Sequence, residues 1–508
     1  MSETYPDPLR RFLITLPILA ASTMVAVDMT IANVALPHMQ STMSASTDQI
    51  TWVLTSYLIA GAIATPLSGW LAQRYGRKLV LVASVAGFTL ASGLCGAANS
   101  LAMIVFARML QGASGAAIIP LAQAILLDIN PPEDHTKAMA QFSLGSMAGP
   151  IIGPTLGGWL TDALSWRWVF FINLPIGILG FVMLLALLPA HRDSRPGRFD
   201  MFGFATVSVA LAAFQLMIDR GERLDWFESG EIRLYATICG LSAFMTLVHV
   251  LTVRDPFIRP ELFKDRNFTI GNIFGVLLGV AIFATVPAIV VMTQTLLGYT
   301  AFRTGMVGMP RAIGTVVAML IVTRLANRVD IRAILIGGMT LSGISMLMYS
   351  RMSLLVDQDW LLYAGLIQGI GGGLTFVPLS VLIYSTLARE LRNEGAAMYA
   401  LLRNMGNAIG ISYLQSKLIH FTAISHAQLT ENIHQGSPEL QFARPDFDLS
   451  STEMLARMEG EISRQAAMVG NVELYKLVFV LMVAMLPMIL MMRTGPARSA
   501  KVELAAME

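Results

Sequence analysis

Long apolar segments separated by short polar stretches dominate the pattern along this chain. Most have about 18 to 25 residues, the length that an α-helix needs to cross a bilayer. We predict fourteen such spans, over residues 12–36, 49–72, 79–98, 101–128, 138–162, 167–189, 201–218, 233–253, 268–296, 304–324, 332–350, 360–387, 395–420 and 473–492. The pattern therefore predicts an all-α membrane protein.

Composition supports a membrane protein and excludes several other classes. Of the 508 residues, 55% are hydrophobic and 13% are charged, whereas soluble domains carry about 25% charged residues. The net charge of +2 gives no reason to expect a nucleic-acid partner. No ATP-binding loop, metal-binding motif or common hydrolase motif occurs in the sequence, so an enzyme is not expected.

Lysine and arginine in the predicted loops set the orientation. One side holds 21 of them and the other side 9, and the side richer in positive charge is normally cytoplasmic. We therefore expect both termini in the cytoplasm and the chain in the inner membrane. The apolar run after Arg10 and Arg11 is too long for a cleavable signal, so the first helix is expected to remain as an anchor.

A repeat is visible at an offset near 255 residues. Leu71–Arg74 matches Leu325–Arg328 at an offset of 254, and Gln111-Gly112 matches Gln368-Gly369 at 257. Glycines 149 and 153 match glycines 406 and 410 at the same 257. Parallel repeats of this kind are typical of transporters. We predict a six-helix bundle over 1–190, an inserted helix pair over 191–262 and a second six-helix bundle over 263–508.

The longest non-membrane stretch is predicted at residues 421–472, outside the cytoplasm. Ser450 and Glu453 resemble a capping box that opens a short amphipathic helix ending near Ala467. A solvated loop is one interpretation of this acidic stretch. A docking surface for an extracytoplasmic partner is the other.

Asp28 is a carboxylate well inside the first apolar segment, within VDMTIANVALP. A charge at that depth costs about 2.5 to 3.5 kcal/mol on insertion scales, and such residues usually mark ion or proton paths. At an offset of 254 its counterpart is Ile282, so only one half carries this acid. Asp28 is the leading candidate for a proton carrier; a position near the outer interface, beside a hydroxyl or water, is the structural alternative.

Arg108 in the fourth span needs a carboxylate or backbone carbonyls as partners, and we pair it with Asp28 for proton coupling. Arg403 in the thirteenth span is a second deep cation. Arg311 and Lys417 are expected to extend to the membrane interface instead.

The substrate cavity is expected between spans 1, 4, 5, 9, 12 and 13. Polar and aromatic side chains placed there by helix position are the candidates for its lining, and packing is an equally good role for each of them. They are Gln111, Gln368, Phe376, Tyr399, Arg403 and Asn404.

Two further motifs suggest conformational roles. The basic turn GWLAQRYGRK after the second span contains Gly69, Arg74, Gly76, Arg77 and Lys78, which can hold helix C-termini or an acid such as Asp128. The fifth span has a ridge of small residues beside prolines, which allows close helix approach and bending. This ridge includes Gly149, Pro150, Gly153, Pro154 and Gly157.

Together these segments resemble the major facilitator superfamily, and within it the fourteen-helix drug:proton antiporters of the EmrB/QacA type. VDMTIANVALP, GWLAQRYGRK, ARMLQGASGAA and GPIIGPTLGGWL resemble the motifs of the first helix, the loop 2–3, the fourth helix and the fifth helix. LMIDRGERLDWF, LFKDRNFTIG and SHAQLTE resemble pumps that work with a periplasmic adaptor and an outer-membrane channel. One departure is Gln73, which stands where the family's loop motif has an acid.

The resemblance implies efflux of a small-molecule substrate from the lipid bilayer or cytoplasm, driven by a proton gradient and needing no cofactor or metal. It leaves the substrate open. An importer on the same fold and a non-transporting scaffold are the rival functions. The proline and glycine face of the fifth span argues against the importer, and the two costly charges argue against the scaffold.

Overall fold

The computed structural model describes residues 6–131, 134–188, 200–253, 256–325, 328–388, 391–431 and 451–493. These ranges are almost entirely helical and contain no strand, so the predicted all-α class is confirmed. The helices are α1 (Pro8–Thr42), α2 (Thr47–Ile50), α3 (Trp52–Tyr75), α4 (Arg77–Gly96), α5 (Leu101–Gly115), α6 (Ile118–Ile129), α7 (His135–Ala163), α8 (Trp168–Phe171), α9 (Asn173–Leu187), α10 (Met201–Gly221), α11 (Gly230–Thr252), α12 (Arg266–Leu278), α13 (Thr285–Thr295), α14 (Ala301–Leu325), α15 (Ile331–Tyr349), α16 (Gln358–Tyr384), α17 (Arg392–Glu431) and α18 (Thr452–Met491).

Several helices follow one another closely enough to form one crossing: α5 with α6, α8 with α9, and α12 with α13 through a π-helical segment, Gly279–Phe283. In the described part of the chain, 11 helices are long and apolar enough to span a membrane, or 12 if the bent α3 counts as one span. With α7 and α17 the helices correspond in order to the fourteen predicted spans, so that number remains consistent with the fold.

The structure corrects the prediction for the stretch 421–472. Helix α17 continues to Glu431, and α18 runs without interruption from Thr452, so the short amphipathic helix is the first part of a 40-residue helix. Its N-cap is Ser451, whose hydroxyl accepts from the Met454 amide at 3.5 Å. Forty residues measure about 60 Å, roughly twice the hydrocarbon thickness, so both helices project beyond the membrane. Residues 432–450 lie outside the described ranges.

The repeat reappears as matching contacts between helices. A Cβ built on Gly112 of α5 would lie 2.2 Å from the Tyr57 carbonyl oxygen of α3. A Cβ built on Gly369 of α16 would lie 1.9 Å from the Arg311 carbonyl oxygen of α14. Since Tyr57 and Arg311 are themselves 254 residues apart, equivalent helices approach each other at equivalent points. The proposed division into two bundles rests on this repeat; its first boundary, near residue 190, lies outside the described residues.

The two halves meet at the end of the molecule opposite the α3–α4 turn. Gln294 of α13 donates to the Val34 carbonyl of α1 at 2.8 Å. The Asp162 carboxylate of α7 accepts from the backbone amides of Ala301 and Phe302 at 3.2 and 2.8 Å, and so caps the first turn of α14. We call the end with the α3–α4 turn the basic end. The halves are therefore in direct contact at the other end.

The inserted pair, α10 and α11, packs beside α3 and α17. Gln215 and Asp219 lie on one face of α10, and Glu222 follows directly after its end; all three are close to serines on α17. Gln215 donates to the Ser412 hydroxyl at 2.6 Å, Ser412 donates to Asp219, and Ser416 donates to Glu222 at 3.1 Å. Asp219, Glu222, Ser412 and Ser416 line a cavity of about 160 Å³ that also reaches Thr51, directly before α3. The pair thus contacts both halves.

At the basic end, Asp200 anchors the start of α10. It accepts hydrogen bonds from the Gly203 and Phe257 amides at 2.9 and 2.8 Å and contacts His249 of α11 at 2.8 Å. Partial burial by itself raises the pKa of Asp200, but the two backbone hydrogen bonds and the His249 contact outweigh burial and hold it below the ordinary 3.8. The ionised carboxylate therefore ties α10 to α11.

Candidate functional site

Asp28 lies on α1 with none of its surface exposed. One carboxylate oxygen, Oδ2, accepts from Arg108 Nη1 at 2.7 Å. The other oxygen, Oδ1, accepts from Gln111 Nε2 and from Asn173 Nδ2, both at 2.9 Å. The predicted partnership of Asp28 and Arg108 is thus present as a buried ion pair, and the alternative of an exposed carboxylate at the interface does not fit this geometry.

Arg108 is equally enclosed, with 1% of its surface exposed. Besides Asp28, its guanidinium donates to the Val53 carbonyl at 3.0 Å and to Gln111 Oε1 at 2.8 Å. It also lies over the Tyr57 ring, 4.2 Å from the centroid. A cation removed from water needs partners of this kind on several sides, and the ring adds a favourable cation–π contact. The guanidinium is therefore fully compensated.

Local sequence explains why these side chains meet. Arg108 and Gln111 are three residues apart on α5, so they share a helix face, and Gly112 beside them lets α5 approach α3 closely. On α1, helix α7 packs against residues near Ala26 and Thr30. At 100° per residue, Asp28 points to another face, towards α5 and α9. The helix that carries Asp28 is therefore held from one side and presents its carboxylate on another.

Sequence reasoning missed Asn173 and Tyr57. Asn173 joins the network from α9 and also donates to Ser92 Oγ at 3.0 Å. A single amide in the apolar run VFFINLPIG was a usable signal, because a polar group in that setting needs a partner. Tyr57 carried no such signal, since an aromatic ring in a membrane helix is ordinary.

The equivalent position in the second half is built differently. Ile282 replaces the acid and lies in the π-helical segment. Arg311 Nη2 donates to the Ile282 carbonyl at 3.2 Å, and Gln368 Nε2 donates to Thr285 Oγ1 at 3.3 Å. The prediction that Arg311 extends to the membrane interface is wrong. Its guanidinium donates instead to the carbonyl of Ile282, a residue with 2% of its surface exposed. The cause is the helix face: Arg311 lies on the interior side of α14.

The predicted cavity residues fall into separate groups. Gln111 belongs to the Asp28 network. Phe376 packs on Phe283, with ring centroids 5.4 Å apart. Arg403 lies over the Tyr399 ring at 5.8 Å, and Asn404 is partly buried beside it on α17. A role for these residues in holding substrate stays a prediction.

The basic turn has the tight backbone geometry that its glycine predicted. Gly76 has φ of 89°, in the region that favours glycine, and so reverses the chain between α3 and α4. Arg77 forms an ion pair with Asp128 at the end of α6, the acid named from the sequence. Arg74 lies over the Trp70 ring at 5.1 Å. The turn therefore joins three helices at the basic end.

The glycine ridge of α7 faces α1. A Cβ on Gly149 would lie 2.4 Å from the Ala26 carbonyl carbon, and one on Gly153 would lie 2.1 Å from Thr30 Oγ1. Thr30 Oγ1 also donates to the Gly149 carbonyl at 3.1 Å. Further along, a Cβ on Gly305 of α14 would lie 2.3 Å from the Pro154 carbonyl oxygen. Helix α7 is thus fitted between the Asp28 helix and the other half.

Comparison with known proteins agrees with this architecture. The family model of the Major Facilitator Superfamily matches residues 18–411. The chain belongs to this superfamily. Multidrug export protein EmrB of Escherichia coli is 33% identical over 434 residues, which cover 84% of each chain. Fatty acid resistance protein FarB of Neisseria gonorrhoeae is 32% identical over 486 residues, which cover 94% of this chain and 95% of that one. The resemblance to the EmrB type is confirmed.

Solved structures of two other transporters share the fold. A bacterial homologue of the human lysosomal transporter Spinster superposes with a TM-score of 0.63 at 16% identity, over 97% of this chain and all of that one. A D-xylose–proton symporter gives a TM-score of 0.58 at 15% identity, over 80% of this chain and 90% of that one. This superfamily transporter is therefore a multi-span membrane protein of a transport family.

Proposed function

We propose that this transporter exports hydrophobic or amphipathic small molecules across the inner membrane by exchange for protons. The observation that carries the proposal is the buried Asp28–Arg108 pair, the kind of intramembrane charge that marks a proton path. The name of the EmrB relative, a multidrug export protein, supports export as the direction. No cofactor is needed, because the proton gradient supplies the energy.

Protonation of Asp28 changes the balance of forces in the network. The ionised carboxylate offsets the charge of Arg108 and accepts three hydrogen bonds. A proton on Asp28 removes that compensation and leaves the guanidinium as an unpaired buried cation, which is unfavourable by several kcal/mol. Movement of α1 away from α5 relieves this unfavourable state. Proton binding and helix movement are thereby coupled, which is the requirement for alternating access.

Lysine and arginine distribution supports placing the basic end, and with it both termini, in the cytoplasm. With that orientation, the contacts of Asp162 and Gln294 close the outer side. We infer that substrate enters from the cytoplasm or inner leaflet while these contacts are formed. Opening of the outer side must break the cap that Asp162 makes on α14.

The projecting ends of α17 and α18 support a further part of the proposal, assembly with a periplasmic adaptor and an outer-membrane channel. They extend beyond the hydrocarbon and are joined there by His426 and Glu459 at 2.8 Å. In a two-membrane host, photocrosslinkers placed along 421–431 and 451–472 are expected to capture an adaptor. An absence of adducts at every position in these ranges would contradict the assembly.

The coupling role is tested in inverted membrane vesicles with Asp28→Asn, which keeps the shape of the side chain but cannot cycle a proton. Uptake of an amphipathic fluorescent dye, driven by an imposed proton gradient, is expected to fall at least tenfold. Asp134→Asn is the matched control, since that half-exposed carboxylate pairs with Arg11 at 3.2 Å at the basic end. Unchanged proton-driven uptake by Asp28→Asn would refute the role, and dye movement in the opposite sense would indicate an importer.

A further inference from the structure

The inserted helix pair brings a carboxylate, Asp219, to the place where the two halves meet. Helix α10 begins at the basic end, so its last turn, which carries Asp219, lies at the opposite end. Gln215 Nε2 donates to Asp219 Oδ1 at 2.9 Å, and the Ser412 hydroxyl of α17 donates to the same oxygen. The Thr55 side chain of α3 lies within hydrogen-bonding reach of the carboxylate. Because α3 belongs to the first half and α17 to the second, Asp219 connects both.

The cavity of about 160 Å³ described above lies beside this carboxylate, which forms part of its lining. Glu222 and Ser416 line it from α10 and α17 and are hydrogen-bonded to each other at 3.1 Å. Arg223 and Ile419 also line the cavity, and both are exposed, so the cavity reaches the surface of the protein. Water can therefore deliver a proton to Asp219 without crossing the apolar interior.

The charged groups around Asp219 have acidic or basic partners of their own. Arg220, the next residue along α10, forms an ion pair with Glu231 of α11. His420 of α17 contacts Glu222 at 3.2 Å. The part of α3 that reaches this end carries no charged side chain. Further cations at this end are Arg223, which lines the cavity, and Lys417.

Asp219 differs from Asp28 in the charge of its hydrogen-bond partners. The partners of Asp219 are one amide and two hydroxyls, all of them neutral, whereas Asp28 is paired with Arg108. A proton on Asp219 therefore leaves no unpaired guanidinium behind. Ser412 can adapt to the protonated acid, because the Ala408 carbonyl also accepts its hydroxyl at 3.3 Å. The change is a loss of strength, since hydrogen bonds to an ionised acceptor are stronger than those to a neutral one.

We propose that Asp219 is a further proton-binding residue of this transporter and that its protonation weakens the contact between α3 and α17. Ionised Asp219 holds α10 against both helices, and the neutral acid holds them less strongly. Acid therefore favours the state in which the two halves separate at this end. The assignment of this end to the outer side rests on the proposed function, but proton binding and separation of the halves are measurable without transport.

The test measures the distance between the two halves at this end as the pH changes. Spin labels are attached through Ala97→Cys, directly after α4, and Ala423→Cys on α17, both at exposed positions. The full-length protein in detergent carries Cys239→Ser, and Cys95 is buried. Pulsed electron paramagnetic resonance gives the fraction of molecules with separated ends. This fraction is expected to rise about threefold or more between about pH 8 and about pH 5.

Asp219→Asn has the uncharged shape of the protonated residue. This variant should already show a raised fraction of separated ends near pH 8 and should retain less than about half of the pH response. Asp225→Asn is the matched control, because Asp225 is an exposed carboxylate at the same end. Its φ of 52° is one that asparagine tolerates, so this variant should keep the full pH response.

A full pH response in Asp219→Asn, or an equal loss of the response in Asp225→Asn, overturns the proposal. Thermal unfolding shows whether Asp219→Asn is folded. If it is not, Ser412→Ala decides: it keeps the acid, removes the hydroxyl of α17 and must raise the fraction of separated ends near pH 8. Loss of the response in Asp219→Asn, together with unchanged proton-driven dye uptake by Asp28→Asn, would refute the proposed coupling role of Asp28 and leave the Asp219 site standing.

Discussion

The two halves of this transporter use the same contacts between helices and opposite electrostatics. Gly112 and Gly369 bring equivalent helices into backbone contact at equivalent points. At equivalent positions of the repeat, the first half carries Asp28 and Arg108, and the second half carries Ile282 and Gly365. The repeat therefore preserves the packing that forms the fold, while the charged groups differ between the halves.

That difference gives the two halves different electrostatic surroundings at equivalent positions of the repeat. In the first half a carboxylate compensates the cation, and its two oxygens accept three hydrogen bonds. In the second half, neither Arg311 nor Arg403 has a carboxylate partner in the described ranges. Arg311 donates to the Ile282 carbonyl, and Arg403 lies over the Tyr399 ring.

The largest expected effect comes from removing each arginine. Arg108→Ala leaves Asp28 buried without its counter-charge and is expected to reduce the free energy of unfolding by about 3–5 kcal/mol. Arg311→Ala removes one hydrogen bond to a carbonyl and also relieves an unpaired cation, so its cost should be about 1 kcal/mol or less. Unfolding in detergent, followed by circular dichroism, measures both. Equal losses of unfolding free energy would mean that Arg108 and Arg311 are compensated to the same extent. That result would contradict the difference between the halves.

A smaller effect, equal in both halves, is expected from filling the helix contacts. Gly112→Ala and Gly369→Ala each place a methyl group against a backbone carbonyl, and overpacking of this kind typically costs about 1–3 kcal/mol. Gly180→Ala is the control, because a Cβ there meets nothing within 4 Å; it should be neutral or stabilise by up to about 1 kcal/mol. A loss of stability in only one of the two variants would show that the equivalent contacts contribute unequally to stability.

The smallest effect is expected at Asp200, a carboxylate that is hydrogen-bonded but still partly exposed to water. Because the folded pKa of Asp200 lies below its ordinary 3.8, ionised Asp200 stabilises the fold above the unfolded pKa, and this contribution disappears as pH falls through the folded pKa. Asp200→Asn should therefore be less stable than the unchanged protein at pH 7, by under about 1 kcal/mol. This difference in stability should shrink as the pH is lowered below the ordinary 3.8. A difference that persists unchanged in acid would assign the effect to packing.

Much of the architecture could be predicted because it is encoded locally. Apolar runs of membrane length placed the helices, and the repeat with offset 254–257 related α3 and α5 to α14 and α16. The glycines of α7 were recognised as a contact face, although their partner helix was not. The long α17 and α18 were not anticipated, since a polar helix that projects from a membrane has no hydrophobic pattern to distinguish it from a loop.

For the site, the sequence identified the two costly charges, and their pairing followed from the energetic need of each. It could not identify Asn173 as the third arm of the network, nor show that Arg311 turns inward. Both facts depend on which face of a helix meets which neighbour. A single helix permits several such faces when all of its surroundings are apolar.

The sequence alone thus determined the class of fold, the order and approximate length of the helices and the presence of one buried acid, because these depend on hydropathy and on spacing along the chain. Only the tertiary structure decided that Asp28 and Arg108 pair with each other in a buried network, while Arg311 donates to the Ile282 carbonyl. The reason is physical: desolvation and pairing are properties of a side chain's complete surroundings, and residues from four separate helices, α1, α3, α5 and α9, supply those surroundings.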